Sequence, residues 1–131
     1  ASIVSTTGNP DGHLVLRGGT SGTNYHFEAV QTATEELVKA GLINRLMVDC
    51  SHGNSNKDYR RQGEVLRSVV SQLRQGSKHV MGVMLESHLV EGNQKLLEDQ
   101  SKLIYGQSIT DACIDIKMTE TLLDELASAI A

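Results

Sequence analysis

The chain repeats one pattern, in which a short apolar run is followed by a turn and then by apolar residues at helical spacing. The apolar runs are His13–Arg17, Leu46–Cys50 and His79–Glu86, and their Val, Leu and Met content is typical of buried parallel strands. Amphipathic helical patterns over Phe27–Val38 and Tyr59–Leu73 separate them. This alternation predicts an α/β fold with parallel strands and right-handed crossovers.

A long segment from Ser87 to Asp115 follows the third run and leads into a last amphipathic helix around Leu122 and Leu126. Proline occurs once, at Pro10, and neither a tandem repeat nor a low-complexity linker interrupts the 131 residues. A chain of this length without a linker is expected to form one unit. We therefore treat residues 1–131 as a single domain with no internal boundary.

Composition excludes several classes of function. The net charge is −4 and no Lys/Arg-rich run occurs, which argues against a nucleic-acid or anionic membrane partner. No apolar stretch reaches the ~20 residues of a membrane span, and the N-terminus lacks a signal-peptide profile. The only cysteines, Cys50 and Cys113, lack CxxC spacing, so neither a disulfide scaffold nor a Cys-rich zinc site is indicated. These features predict a cytoplasmic protein.

Polar side chains stand at the end of each predicted strand. Arg17, His52 and Glu86 lie about 35 residues apart, which is one βα unit. Because parallel strands end at the same edge, we expect these side chains to converge where α/β enzymes place their active sites. A cation, an imidazole and a carboxylate there would suit an anionic substrate and a metal. Each also has an ordinary alternative: a surface arginine, a loop or capping histidine, and a carboxylate at a helix start.

Four segments together resemble the C-terminal part of class I DAHP synthase. They are Leu16–Gly19 (LRGG), Asp49–Ser55 (DCSHGNS), Glu86–Gln94 (ESHLVEGNQ) and Tyr105–Cys113 (YGQSITDAC), and they occur in the family's order over nearly the whole chain. The family condenses phosphoenolpyruvate with erythrose 4-phosphate to 3-deoxy-D-arabino-heptulosonate 7-phosphate (DAHP), the first step of the shikimate pathway. The resemblance implies this enzyme activity for the complete protein.

The resemblance also implies a fold, since the family forms a (β/α)8 TIM barrel, which takes about 250 residues. The 131 residues would then be the last three βα units of an incomplete barrel, without the family's Lys- and Arg-rich phosphate-binding motifs and its metal-binding cysteine. Neither Cys50 nor Cys113 matches that cysteine's motif. An incomplete barrel leaves strand edges open, so we expect the chain to self-associate.

The family's functional residues map onto four positions. His52 matches the metal-ligand histidine, Glu86 and Asp111 match the two carboxylate ligands, and Arg17 matches an arginine that binds phosphoenolpyruvate. An imidazole and two carboxylates suit Mn, Fe, Co or Zn. A guanidinium offers two parallel hydrogen bonds to a carboxylate or phosphate. As a catalytic residue, His52 is expected to act first as a ligand and second as a proton carrier.

Two further interpretations stay open beside a barrel fragment that is inactive alone. The chain could be a stand-alone binding or regulatory module that retains the motifs without turnover. An upstream reading frame encoding the rest of the barrel would favour the fragment, and a start codon directly before Ala1 would favour the module. A receiver-like phospho-acceptor module using Asp49 is disfavoured, because the first strand ends in Arg17 rather than in an acidic pair.

Overall fold

A computed structural model describes residues 2–130 and contains a three-stranded parallel sheet. Its strands are β1 (Leu14–Leu16), β2 (Leu46–Asp49) and β3 (Val80–Met84), with β2 in the centre. Leu14 lies opposite Leu46, and Leu46 lies opposite Val80. The predicted α/β class with parallel strands is confirmed.

Two helices provide the crossovers between these strands. Helix α1 (Phe27–Lys39) connects β1 to β2, and α2 (Gln62–Arg74) connects β2 to β3. A 3₁₀ turn over Tyr59–Arg61 precedes α2, so Tyr59 lies before the helix in which it was predicted. Gly41 and Gly76 follow the two helices with φ of 70° and 92°, a conformation that glycine adopts without a Cβ penalty and that ends a helix.

The segment after β3 contains four short strands that the sequence did not predict. They pair in parallel as two small sheets, β4 with β7 and β5 with β6. Helix α3 (Ile116–Ala127) follows the last of these strands. Their bounds are β4 (Ser87–His88), β5 (Val90–Asn93), β6 (Gln107–Ser108) and β7 (Ile114–Asp115). The loop between β6 and β7 contains Asp111.

The hydrophobic core lies between the central strand and the helices. Fully buried side chains from β2 and from the three α-helices include Leu46, Val48, Val30, Leu66, Val69 and Leu122. The predicted apolar face of α1 is only partly covered, since Phe27 and Val38 at its two ends are exposed. Among residues 2–130, no helix is long and apolar enough to cross a membrane.

Candidate metal centre

His52 lies in the turn that follows β2 and is oriented by a carboxylate from the end of that strand. Its backbone has a φ of 47°, in the left-handed region that few non-glycine residues adopt. The imidazole Nδ1 lies 2.7 Å from Oδ2 of the buried Asp49. Because a carboxylate only accepts hydrogen bonds, this contact places the hydrogen on Nδ1 and leaves the lone pair of Nε2 available to a metal.

Glu86 follows β3 and is held at its backbone and at its side chain. Its amide N donates to Oε1 of Gln62 at 2.7 Å, and Nε2 of Gln62 donates to its carbonyl at 3.0 Å. The carboxylate Oε2 accepts a 2.7 Å hydrogen bond from the Ser51 hydroxyl. The other oxygen, Oε1, lies 3.6 Å from Nε2 of His52. Two candidate ligand atoms therefore face each other across a short gap.

Asp111 completes a group of three candidate ligands. His52, Glu86 and Asp111 each offer one ligand atom, and these three atoms lie within 4.8 Å of one another. Asp111 is exposed. One imidazole nitrogen and two carboxylate oxygens form a donor set that fits a divalent transition metal. The structure brings the three predicted residues together, and their role as metal ligands stays a prediction.

Arg17 lines the same cleft, which has a volume of about 470 Å³. The residue follows β1 directly, and within residues 2–130 its guanidinium forms no ion pair. Lys57 also lines this cleft, and the sequence did not single it out. The cleft thus contains two cationic side chains together with the candidate metal ligands, as an anionic substrate would require.

The loops that carry Arg17 and His52 are joined by the buried Asn54. Its backbone N donates to the Arg17 carbonyl at 3.1 Å. Its side-chain Nδ2 donates to the carbonyls of Leu16 and Asp49 at 3.0 and 2.9 Å, and its Oδ1 accepts from the Asn24 amide at 2.8 Å. This one residue fixes the position of the arginine loop relative to the histidine loop.

Neither cysteine contributes to the group of ligand atoms that the described residues form. Cys50 is fully buried in the core, and its burial raises the pKa of the thiol to about 12. Cys113 donates to the Asp111 carbonyl at 3.5 Å. Burial raises the pKa of its thiol, and the nearby charges of Glu86 and Asp111 raise it further. At both cysteines burial therefore disfavours the thiolate, which is the form that binds metals.

Known proteins resemble this chain over most of its length. The model of the DAHP synthetase I family matches residues 1–124. The chain belongs to the DAHP synthetase I family. A phospho-2-dehydro-3-deoxyheptonate aldolase, Tyr-sensitive, of Enterobacter agglomerans is 52% identical over 95% of this chain and 58% of its own. The Tyr-sensitive enzyme of Escherichia coli (strain K12) is 50% identical over 95% of this chain and 35% of its own.

A solved structure of another member of the DAHP synthetase I family shares the fold. The phospho-2-dehydro-3-deoxyheptonate aldolase of Francisella tularensis SCHU S4 matches with a TM-score of 0.88 and 44% identity, over 98% of this chain and 37% of that one. The chain thus spans about a third of the length of this enzyme and of the E. coli relative. The predicted resemblance to a C-terminal portion of the family is confirmed.

Proposed function

We propose that this chain forms part of the active site of a DAHP synthase, with residues 1–131 as a single C-terminal segment made of the last three βα units of a TIM barrel. The complete enzyme would condense phosphoenolpyruvate with erythrose 4-phosphate, at the start of the shikimate pathway in the cytoplasm. The observation that carries the proposal is the convergence of ligand atoms of His52, Glu86 and Asp111 to within 4.8 Å, in the cleft that Arg17 also lines.

A divalent Mn, Fe, Co or Zn ion would be held by Nε2 of His52, Oε1 of Glu86 and a carboxylate oxygen of Asp111. When bound, it supplies a Lewis acid for the aldehyde oxygen of erythrose 4-phosphate. His52 contributes Nε2 because Asp49 already occupies Nδ1. The ligand role of His52 therefore comes before any role as a proton carrier.

Arg17 would bind phosphoenolpyruvate through its carboxylate or phosphate, because a guanidinium keeps its charge and offers paired donors. In the reaction, the alkene carbon of phosphoenolpyruvate forms the new bond to the aldehyde carbon. Water adds at the adjacent carbon, and inorganic phosphate leaves. The Lys- and Arg-rich phosphate-binding motifs that the resemblance implies do not occur in these 131 residues. We therefore propose that the chain alone binds the metal without turning substrate over.

Replacing Glu86 tests the proposed metal centre. Glu86→Gln keeps the shape of the side chain and removes its charge, and it is expected to weaken Mn²⁺ binding by at least about 100-fold, because even residues that only support a ligand cost 10- to 100-fold. Isothermal titration calorimetry of the 131-residue chain with Mn²⁺ measures this.

A matched control lies five residues further along the chain, in β5. Glu91 is exposed, does not line the cleft and is outside the group of three ligands. Glu91→Gln is therefore expected to bind Mn²⁺ as the unaltered chain does. Equal binding by the Glu86 and Glu91 variants would show that Glu86 is not a ligand.

The open edges of the central sheet lead to a second prediction. Strands β1 and β3 are the edge strands of the sheet that the described residues form, and Val15 and Met81 on them are 41% and 47% exposed. Parallel sheets are normally covered on both faces, and unpaired edges pair with other chains. We expect sedimentation velocity of the 131-residue chain to show association that increases with concentration. A monomer at every concentration would contradict this.

A further inference from the structure

The Ser51 hydroxyl is buried beside the candidate ligands and has a fixed partner. Ser51 is 4% exposed, and its Oγ lies 2.7 Å from Oε2 of Glu86. Its backbone N donates to Oδ1 of Asp49 at 2.8 Å, and this same carboxylate orients His52. The stretch from Asp49 to Ser51 therefore contacts two of the three candidate ligands, His52 and Glu86.

This hydrogen bond distinguishes the two oxygens of Glu86. Oε2 accepts from Ser51, while Oε1 faces Nε2 of His52 at 3.6 Å. The side chain of Gln62 hydrogen-bonds to both the N–H and the carbonyl of Glu86. The Glu86 backbone is therefore fixed, and the carboxylate moves only by rotation about the side-chain bonds. Turning both oxygens toward one ion would require breaking a partly buried, charge-assisted hydrogen bond, which is among the stronger kinds.

We propose that Ser51 is a positioning residue that holds Glu86 as a one-oxygen ligand and thereby sets which divalent cation the centre prefers. The inference rests on the proposed function, because it presupposes a metal at this site. Zn²⁺ favours few ligands at short distance, whereas larger cations accept more oxygens and carboxylates that bind through both. Freeing Oε2 would therefore penalise Zn²⁺ more than Mn²⁺.

Ser51→Ala removes only the hydroxyl and is the test variant. Its matched control is Thr34→Val, which removes a hydroxyl that is equally buried but lies in α1, away from the cleft. Thr34 is 2% exposed, and its Oγ1 donates to the Val30 carbonyl at 2.9 Å. Calorimetry of the unaltered chain and both variants gives dissociation constants for Zn²⁺ and Mn²⁺. The absorption spectrum of bound Co²⁺ reports the geometry around the ion, which is diagnostic of its ligand set.

We expect Ser51→Ala to weaken Zn²⁺ binding by about 10- to 100-fold, to weaken Mn²⁺ binding less, and to change the Co²⁺ spectrum. Thr34→Val should alter neither the affinities nor the spectrum. An equal loss for both cations with an unchanged spectrum would overturn the inference, because it would show general loosening of the site. Unchanged affinities in Ser51→Ala would also overturn it. If the unaltered chain bound neither cation, the proposed metal centre would fail, and the inference with it.

Discussion

Asn54→Ala is expected to lower the free energy of unfolding by about 3–5 kcal/mol. Asn54 is 1% exposed, and its side chain is the hydrogen-bond partner of the Leu16 and Asp49 carbonyls and of the Asn24 amide. Alanine leaves these three backbone groups without that partner, and each buried group left unpaired costs about 1–3 kcal/mol. The loss should also weaken metal binding, because the same bonds position the loop of His52.

Urea unfolding of the 131-residue chain, followed by circular dichroism, measures this change. Asn44→Ala is the matched control, because Asn44 lies on an exposed turn before β2 and a substitution there is expected to change stability by no more than about 0.5 kcal/mol. If the two variants unfolded at the same urea concentration, Asn54 would not join the loops as we describe.

Gly53→Ala is expected to destabilise the chain by about 3 kcal/mol for a steric reason. A Cβ at Gly53 would lie 2.7 Å from the carbonyl carbon of Gly18, 2.8 Å from the amide N of Gly19 and 3.0 Å from the Arg17 carbonyl oxygen. All three are backbone atoms, so no flexible side chain can move aside. The two loops must separate, and Arg17 must move away from His52.

The control for Gly53→Ala is Gly19→Ala in the neighbouring loop. A Cβ at Gly19 meets no atom within 4 Å, so this variant is expected to unfold close to the unaltered chain. Thermal unfolding and Mn²⁺ calorimetry of both variants provide the comparison. A Gly53 variant with the stability and metal affinity of the Gly19 variant would show that the loops do not need this close approach.

The sheet and three of the four predicted site residues follow from simple periodicity. Arg17, His52 and Glu86 each stand at the end of an apolar run, and parallel strands end at one edge of a sheet, so their convergence was predictable. Asp111 was found only through the family resemblance. It lies between strands of two residues each, which are too short to show a repeating pattern.

The groups that orient the candidate ligands were not predicted. Asp49 ends β2 three residues before His52, so a carboxylate at that spacing was a usable signal. Gln62 contacts Glu86 across 24 residues of chain, and only the packing of α2 beside β3 brings them together. Likewise, the apolar spacing of α1 marked its inner face correctly at Val30, but spacing does not reveal how far a neighbouring layer covers a helix.

The six residues from Asp49 to Asn54 include the carboxylate that supports the imidazole, the imidazole itself, the hydroxyl that contacts Glu86 and the amide that joins the arginine loop. Insertion or deletion of one codon there would displace all of them at once. In shuffled libraries made from homologous genes, crossover points inside this stretch would separate residues that contact one another in this structure. Crossovers in the exposed turns before β2 and β3 would keep residues Asp49 to Asn54 together from one parent gene.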